Sequence, residues 1–114
     1  MSEKPQFPEL PAAVASYLST PKELLSEVLE QIFEDDAVVH DDGQTHVGID
    51  AIASWTDQVA SAFTFTRTVI SVIVQPNASI VVVLLKGDFP GSPVELHHHF
   101  SLTGNRISAL TICT

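Results

Sequence analysis

A chain of 114 residues is one ordinary domain, long enough for one sizeable core and too short for two. Hydrophobic residues make up 45%, which is the composition of a globular chain, and a net charge of −9 leaves no basic face for nucleic acid or an anionic membrane. The longest wholly aliphatic run, residues 80–85, is far short of a bilayer span.

The charge is uneven. Twelve of the fourteen acidic residues lie in residues 1–57, where Lys4 and Lys22 are the only basic residues. An acidic surface of this kind keeps a chain in solution. The start, MSEKPQFPEL, has no apolar stretch ahead of a cleavage site, so no signal peptide is expected. Cys113 is the single cysteine. It cannot form an internal disulfide, which fits a reducing, cytoplasmic setting.

Residues 1–9 hold Pro5 and Pro8 and little apolar pattern, and are expected to form a flexible arm ahead of a single domain over 10–114. Leu10, Val14, Tyr17 and Leu18 fall on one helical face, which predicts a short helix ending near Ser19. Thr20, Pro21 and Glu23 then supply an N-cap, a proline at the first helical position and a capping-box acid. Leu24, Leu25, Val28, Leu29, Ile32 and Phe33 continue as one helical stripe. Glu34, Asp35 and Asp36 are unfavourable at a helix C-terminus and are placed just beyond it. Residues 37–41 predict a short strand, and Asp42 with Gly43 a turn. Gly48 precedes a third helix, roughly 49–62, with Ile52, Trp55 and Val59 on its buried face.

After Phe63 the period changes. Residues 64–75 are rich in Thr, Val and Ile, and Pro76 and Asn77 turn the chain. Residues 79–89 predict a strand that is apolar on both faces, followed by a loop carrying PGSP. Residues 93–103 alternate, with Val94, Leu96, His98, Phe100 and Leu102 on one face and Glu95, His97, His99 and Ser101 on the other. Gly104 and Asn105 make a tight turn into a last strand, 106–113. Helices followed by a meander of strands indicate an α+β domain. Three helices cannot cover both faces of the strand over 79–89; the second face must meet a curled part of the same sheet or a second subunit, and a homodimer through the sheet face is expected.

The segment FEDDAVVHDDGQTHVGIDAIASW resembles the N-terminal signature of the NTF2-like superfamily, in its SnoaL-like and ketosteroid isomerase-like branches. An aromatic and an Asp-Asp-Ala run close the second helix there, and a Gly-x-x-x-Ile-x-x-Trp/Phe segment opens the third, matched by Gly48, Ile52 and Trp55. The tail ELHHHFSLTGNRISALTI and the preceding PGSP are similar to the end of that fold. The resemblance implies a cone in which three N-terminal helices pack on a strongly curved, mostly antiparallel sheet. It implies a pocket lined by Trp55, Leu96, Phe100, His46 and Phe33. It also implies three site residues: Asp41, four residues after Ala37, as catalytic base; Tyr17 as oxyanion donor; and His98, two residues before Phe100, at the position of the second donor. In the ketosteroid isomerases that second donor is a protonated aspartic acid. Here it is a histidine.

A carboxylate partly desolvated in an apolar pocket becomes a better base, able to take a proton next to a carbonyl. A charged His98 close to Asp41 would weaken that base, and a neutral one would leave it strong. Glu95, His97 and His99 share an outer face, but flat strand-face histidines do not make a clean metal motif, and neither a metal nor a cofactor is expected. Two readings stand. One is an isomerase, a cyclase or, less readily, an epoxide hydrolase acting on a small apolar carbonyl-type molecule. The other is a non-catalytic dimeric domain that binds an apolar ligand or another protein.

Overall fold

We describe a computed structural model of the chain covering residues 8–114; most of the expected N-terminal arm, residues 1–7, lies outside the described residues. Helix α1 spans Ala12–Ser19 and buries Ala13, Val14 and Tyr17. Helix α2, Leu25–Ile32, buries Leu25, Leu29 and Ile32. A 3₁₀ turn, Lys22–Leu24, separates the two. The expected N-cap at Thr20 is absent. Its hydroxyl donates backwards to the Ser16 carbonyl at 2.6 Å and so finishes α1 instead of starting α2. Pro21, with φ −54°, then sets the turn, closed by Leu24 N–H on the Pro21 carbonyl at 2.9 Å.

Six strands follow: β1 Phe33–Asp41, β2 Gln44–Val47, β3 Phe65–Gln75, β4 Ala78–Gly87, β5 Val94–Thr103 and β6 Arg106–Cys113. Helix α3, Ile49–Ala62, links β2 to β3 and buries Ile52, Trp55 and Thr56. Gly48 opens it at φ 87°, where a side chain would be strained, and its N–H donates to the Ala37 carbonyl at 2.8 Å. The strand order is β2-β1-β6-β5-β4-β3 in one open sheet. β1 and β6 run parallel, and every other neighbouring pair is antiparallel. Three helices on a six-stranded mixed sheet make the fold α+β. Among the described residues no helix is long and apolar enough to cross a membrane.

Two elements differ from expectation. β1 begins at Phe33, four residues before the expected strand, and α2 stops at Ile32. Phe33 is fully buried and lies beside Ile107 of β6, so tertiary packing draws it out of the helix; burying such a side chain contributes about 1.5–3 kcal/mol. Asp35 and Asp36 face solvent, Glu34 lies 3.9 Å from Arg106, and a register shift before Val38 absorbs the irregularity. The second difference is β2, a short polar edge strand that hairpins onto β1 through Asp42 and Gly43.

The core lies between the helices and one sheet face. Phe33, Val39, Val81, Val83, Phe100, Ile107 and Leu110 come from the strands, and Val14, Leu29, Ile32 and Ile52 from the helices. α2 and α3 pack on β1, and α1 and α2 on β6. This sets one end of β1, carrying Asp41, against α3 and, across Ile112 of β6, in line with His98 of β5.

Candidate functional site

Asp41 is the last residue of β1, immediately before the two-residue turn formed by Asp42 and Gly43. It is half-buried rather than a solvated turn residue. Its Oδ2 accepts a hydrogen bond from the indole Nε1–H of Trp55 at 3.0 Å. Burial raises the Asp41 pKa above the usual carboxylate value, and the Trp55 hydrogen bond offsets part of that rise. Trp55 is itself held by His46, whose ring stacks on it with centroids 5.9 Å apart at 29°. The Nε2 atom of His46 is buried and has no hydrogen-bond partner among the described residues.

Asp41, Trp55, Tyr17, Leu96 and His98 line one inner cavity of ≈ 90 Å³. An outer bowl of ≈ 760 Å³ adjoins it and shares Asp41, Val59, Phe65, Leu85, Leu96 and Ile112 with it. Asp41 therefore stands at the junction of the two. The bowl also includes Phe63 and Phe89, whose rings meet edge to face at 6.0 Å.

Tyr17 is 5% exposed and sits edge-on to Phe33 at 6.0 Å and to Phe100 at 5.6 Å. Its hydroxyl makes no hydrogen bond to a protein group among the described residues. Burial raises its pKa, partly offset by the charge of Arg67, so the phenol keeps its proton and remains a donor. His98 is 5% exposed, inward on β5 as the alternation predicts. Burial lowers its pKa to about 4, so the ring is neutral at pH 7. His98 therefore brings no positive charge to Asp41. Nδ1 of His98 lies 3.4 Å from the Leu96 carbonyl oxygen, a long hydrogen bond. A carbonyl only accepts, so in this arrangement Nδ1 carries the proton and Nε2 is left as an acceptor. The donor role that the resemblance implies for His98 needs the opposite tautomer.

Trp55 and Leu96 line the inner cavity; Phe33, Phe100 and His46 do not. Phe33 and Phe100 are fully buried behind Tyr17, and His46 stands behind Trp55. They support the lining residues from the core side. His40 faces away from the cavity, its Nδ1 3.1 Å from Thr45 Oγ1. His97 and His99 stack on the outer sheet face at 6.5 Å, and no group of three His, Cys, Asp or Glu side chains among the described residues is arranged to hold a metal.

Sequence reasoning missed Arg67. It lines the inner cavity from β3, and its Nη2 donates to the Thr20 carbonyl at 2.9 Å. The signal was present: Arg67 shares the inward face with Phe65 and Val69, while Thr64, Thr66 and Thr68 are exposed. Lys22 also lines the cavity, with Nζ over the Phe65 ring at 5.2 Å.

No family model and no curated protein matches the chain. Solved structures do. A candidate polyketide cyclase from Sinorhizobium meliloti is 32% identical, with a TM-score of 0.85 over 91% of this chain and 95% of that one. A candidate SnoaL-like polyketide cyclase from Jannaschia is 16% identical, with a TM-score of 0.72 over 89% of this chain and 81% of that one. A protein of ketosteroid isomerase-like fold from Catenulispora acidiphila, in complex with trimethylamine, is also 16% identical, with a TM-score of 0.72 over 93% of this chain and 87% of that one. At such identity the last two show the fold alone. The first is similar in sequence along nearly its whole length, and with it the chain belongs to the NTF2-like superfamily, in its SnoaL-like and ketosteroid isomerase-like branch.

Proposed function

We propose that the chain is an enzyme in which Asp41 removes a proton next to the carbonyl of a small, mostly apolar compound. The observation that carries this reading is the convergence of a half-buried carboxylate and a buried, protonated phenol on one cavity. Asp41 takes the proton from carbon, and the electron pair left behind moves onto the carbonyl oxygen. The Tyr17 hydroxyl donates to that oxygen. Return of the proton from Asp41 to another carbon of the same system gives isomerisation. Attack of the carbanion on a second carbonyl gives an aldol-type cyclisation. Neutral His98 keeps positive charge away from Asp41 and offers Nε2 as an acceptor to a substrate or enol hydroxyl. These steps need only side chains, and a cytoplasmic setting fits the lone cysteine.

The test is exchange of the α-hydrogens of phenylacetone in D₂O, followed by proton NMR. The parent protein is expected to accelerate exchange and Asp41→Asn to abolish the acceleration. Exchange at the buffer rate with the parent, or equal acceleration by the variant, would sink the proposal.

The outer bowl favours a second reading, a non-catalytic domain that binds an apolar ligand, because it is several times larger than the inner cavity and has the Phe63–Phe89 pair in its wall. In either reading we take the unit to be a homodimer through the outer sheet face. Register places Ile73, Ile80 and Val82 side by side there, and Ile73 is 49% exposed.

A further inference from the structure

The inner cavity has three charged residues in its wall, and two of them are already engaged. Asp41 accepts the Trp55 N–H. Lys22 holds Glu23 at 2.8 Å and lies over Phe65. Arg67 is different. It gives one N–H to the Thr20 carbonyl and meets no carboxylate within ion-pair distance among the described residues. A guanidinium has five N–H donors and a permanent charge, so a neutral carbonyl leaves most of its capacity unused. The residue is half-buried, which removes part of the solvation that would otherwise compensate that charge. The Glu23 carboxylate, held by Lys22, feels the Arg67 charge but stays beyond ion-pair distance, so in a chain with fourteen acidic residues and five basic ones the guanidinium has no carboxylate in direct contact.

Its surroundings narrow what could compensate it. Tyr17 and His98, which share its wall, are both neutral, and the remaining lining is mainly apolar: Leu25, Val59, Phe65, Leu85, Leu96 and Ile112. The planar fork of an arginine matches the two oxygens of a carboxylate in one plane. A phosphate dianion would need more donors than this wall supplies and would meet the field of a chain carrying −9. A monoanion drawn to Arg67 and repelled by Asp41 has only one favourable orientation in the cavity. We infer that Arg67 is the anchor for a carboxylate, and that the site takes small apolar acids, held by the carboxylate at Arg67 with the carbon chain directed towards Asp41. The part of this inference that concerns the reacting C–H rests on Asp41 acting as a base; the carboxylate preference does not.

The experiment is isothermal titration calorimetry with a matched pair of probes, phenylacetate and phenylacetamide, which differ in charge and little in shape. The parent protein is expected to bind phenylacetate about tenfold or more tightly than the amide, the advantage of a charge-assisted paired contact. Arg67→Gln is expected to bring the two within about twofold of each other, and Arg67→Lys, which keeps the charge and loses the fork, to give an intermediate preference. Arg67→Lys also serves if the glutamine variant fails to fold. Equal affinities in the parent, a preference that survives Arg67→Gln or is undiminished in Arg67→Lys, or no saturable phenylacetate binding up to about 10 mM would each overturn the inference. Asp41→Asn separates this from the proposed function. It is expected to lose α-hydrogen exchange and to keep the preference for phenylacetate. Preference without exchange in the parent leaves Arg67 standing and removes the base; exchange without preference does the reverse.

Discussion

The indole N–H of Trp55 reaches the Oδ2 atom of Asp41 at 3.0 Å, joining the middle of α3 to the end of β1. This bond favours the ionised carboxylate, while burial opposes it. Trp55→Phe removes the donor and keeps most of the ring. The Asp41 pKa is then expected to rise further, visible as an upward shift of its carboxylate ¹³C titration. Stability is expected to fall by about 1.5–3 kcal/mol, the range for a hydrogen bond to a charged group. A titration that stays in place or moves down would show that the bond does not hold the charge.

Asp41→Asn is expected to make the protein more stable at neutral pH. The folded pKa of Asp41 is raised by burial, so the folded state holds its proton to higher pH than the unfolded chain does. Stability from this group therefore falls as pH rises from the unfolded value through the folded one, and the full cost is present above both. Asparagine carries no charge and can still accept from Trp55. Thermal melts should show the variant above the parent at pH 7, with the difference shrinking towards acid. A lower melting temperature at pH 7 would contradict this. A group that destabilises the fold where it is charged is common at working sites.

His98 has the opposite dependence. Its folded pKa is depressed to about 4 from an ordinary 6.5, so its neutral form stabilises the fold fully above about pH 6.5. That contribution is lost as pH falls through the window from 6.5 to 4, and amounts to roughly 3 kcal/mol. Denaturant melts across this window should show the loss in the parent and a flatter profile in His98→Leu. Equal slopes would remove His98 as the cause.

Gly87→Ala is expected to destabilise by about 1–3 kcal/mol. A Cβ there would stand 2.7 Å from both Cα and Cβ of Phe65 in the neighbouring strand and would press on the carbonyl of Thr64 just before it. Chemical denaturation gives the cost directly.

Ile73→Glu and Val82→Glu address the outer face. The parent is expected to sediment at twice the chain mass of 12.3 kDa, and the double variant at the chain mass. A parent that is monomeric, or a variant that stays dimeric, would move the interface elsewhere or remove it.

Much of this could be read in advance where one physical requirement dominated. β6 occupies residues 106–113 as expected, because a Gly-Asn turn and an alternating pattern set both its limits. β5 alternates in and out as its sequence does, which put His98 and Phe100 inside. The start of β1 was hidden because three consecutive acids look like the end of a helix; the strand tolerates them because its solvent side is free. β2 was hidden because an exposed four-residue edge strand has no apolar face to signal it. Arg67 was hidden by its type, since a lone arginine in a strand usually faces water. Only the pairing of β3 with β4, and the cavity below it, gives that position its meaning.

The parallel pairing of β1 with β6 bears on how the chain reaches this fold. Val39 and Leu110 lie side by side although residues 40–109 separate them in sequence. Such a contact carries a large loop-closure cost and slows folding relative to hairpins that pair locally. During synthesis, β1 can turn onto β2 at once, but its other edge stays open until β6 has been made. Phe33 and Val39 must wait for Ile107 and Leu110 to cover them. The nascent chain therefore carries an unpaired, apolar strand edge for most of its synthesis, and that edge is where misassociation between unfinished chains would begin.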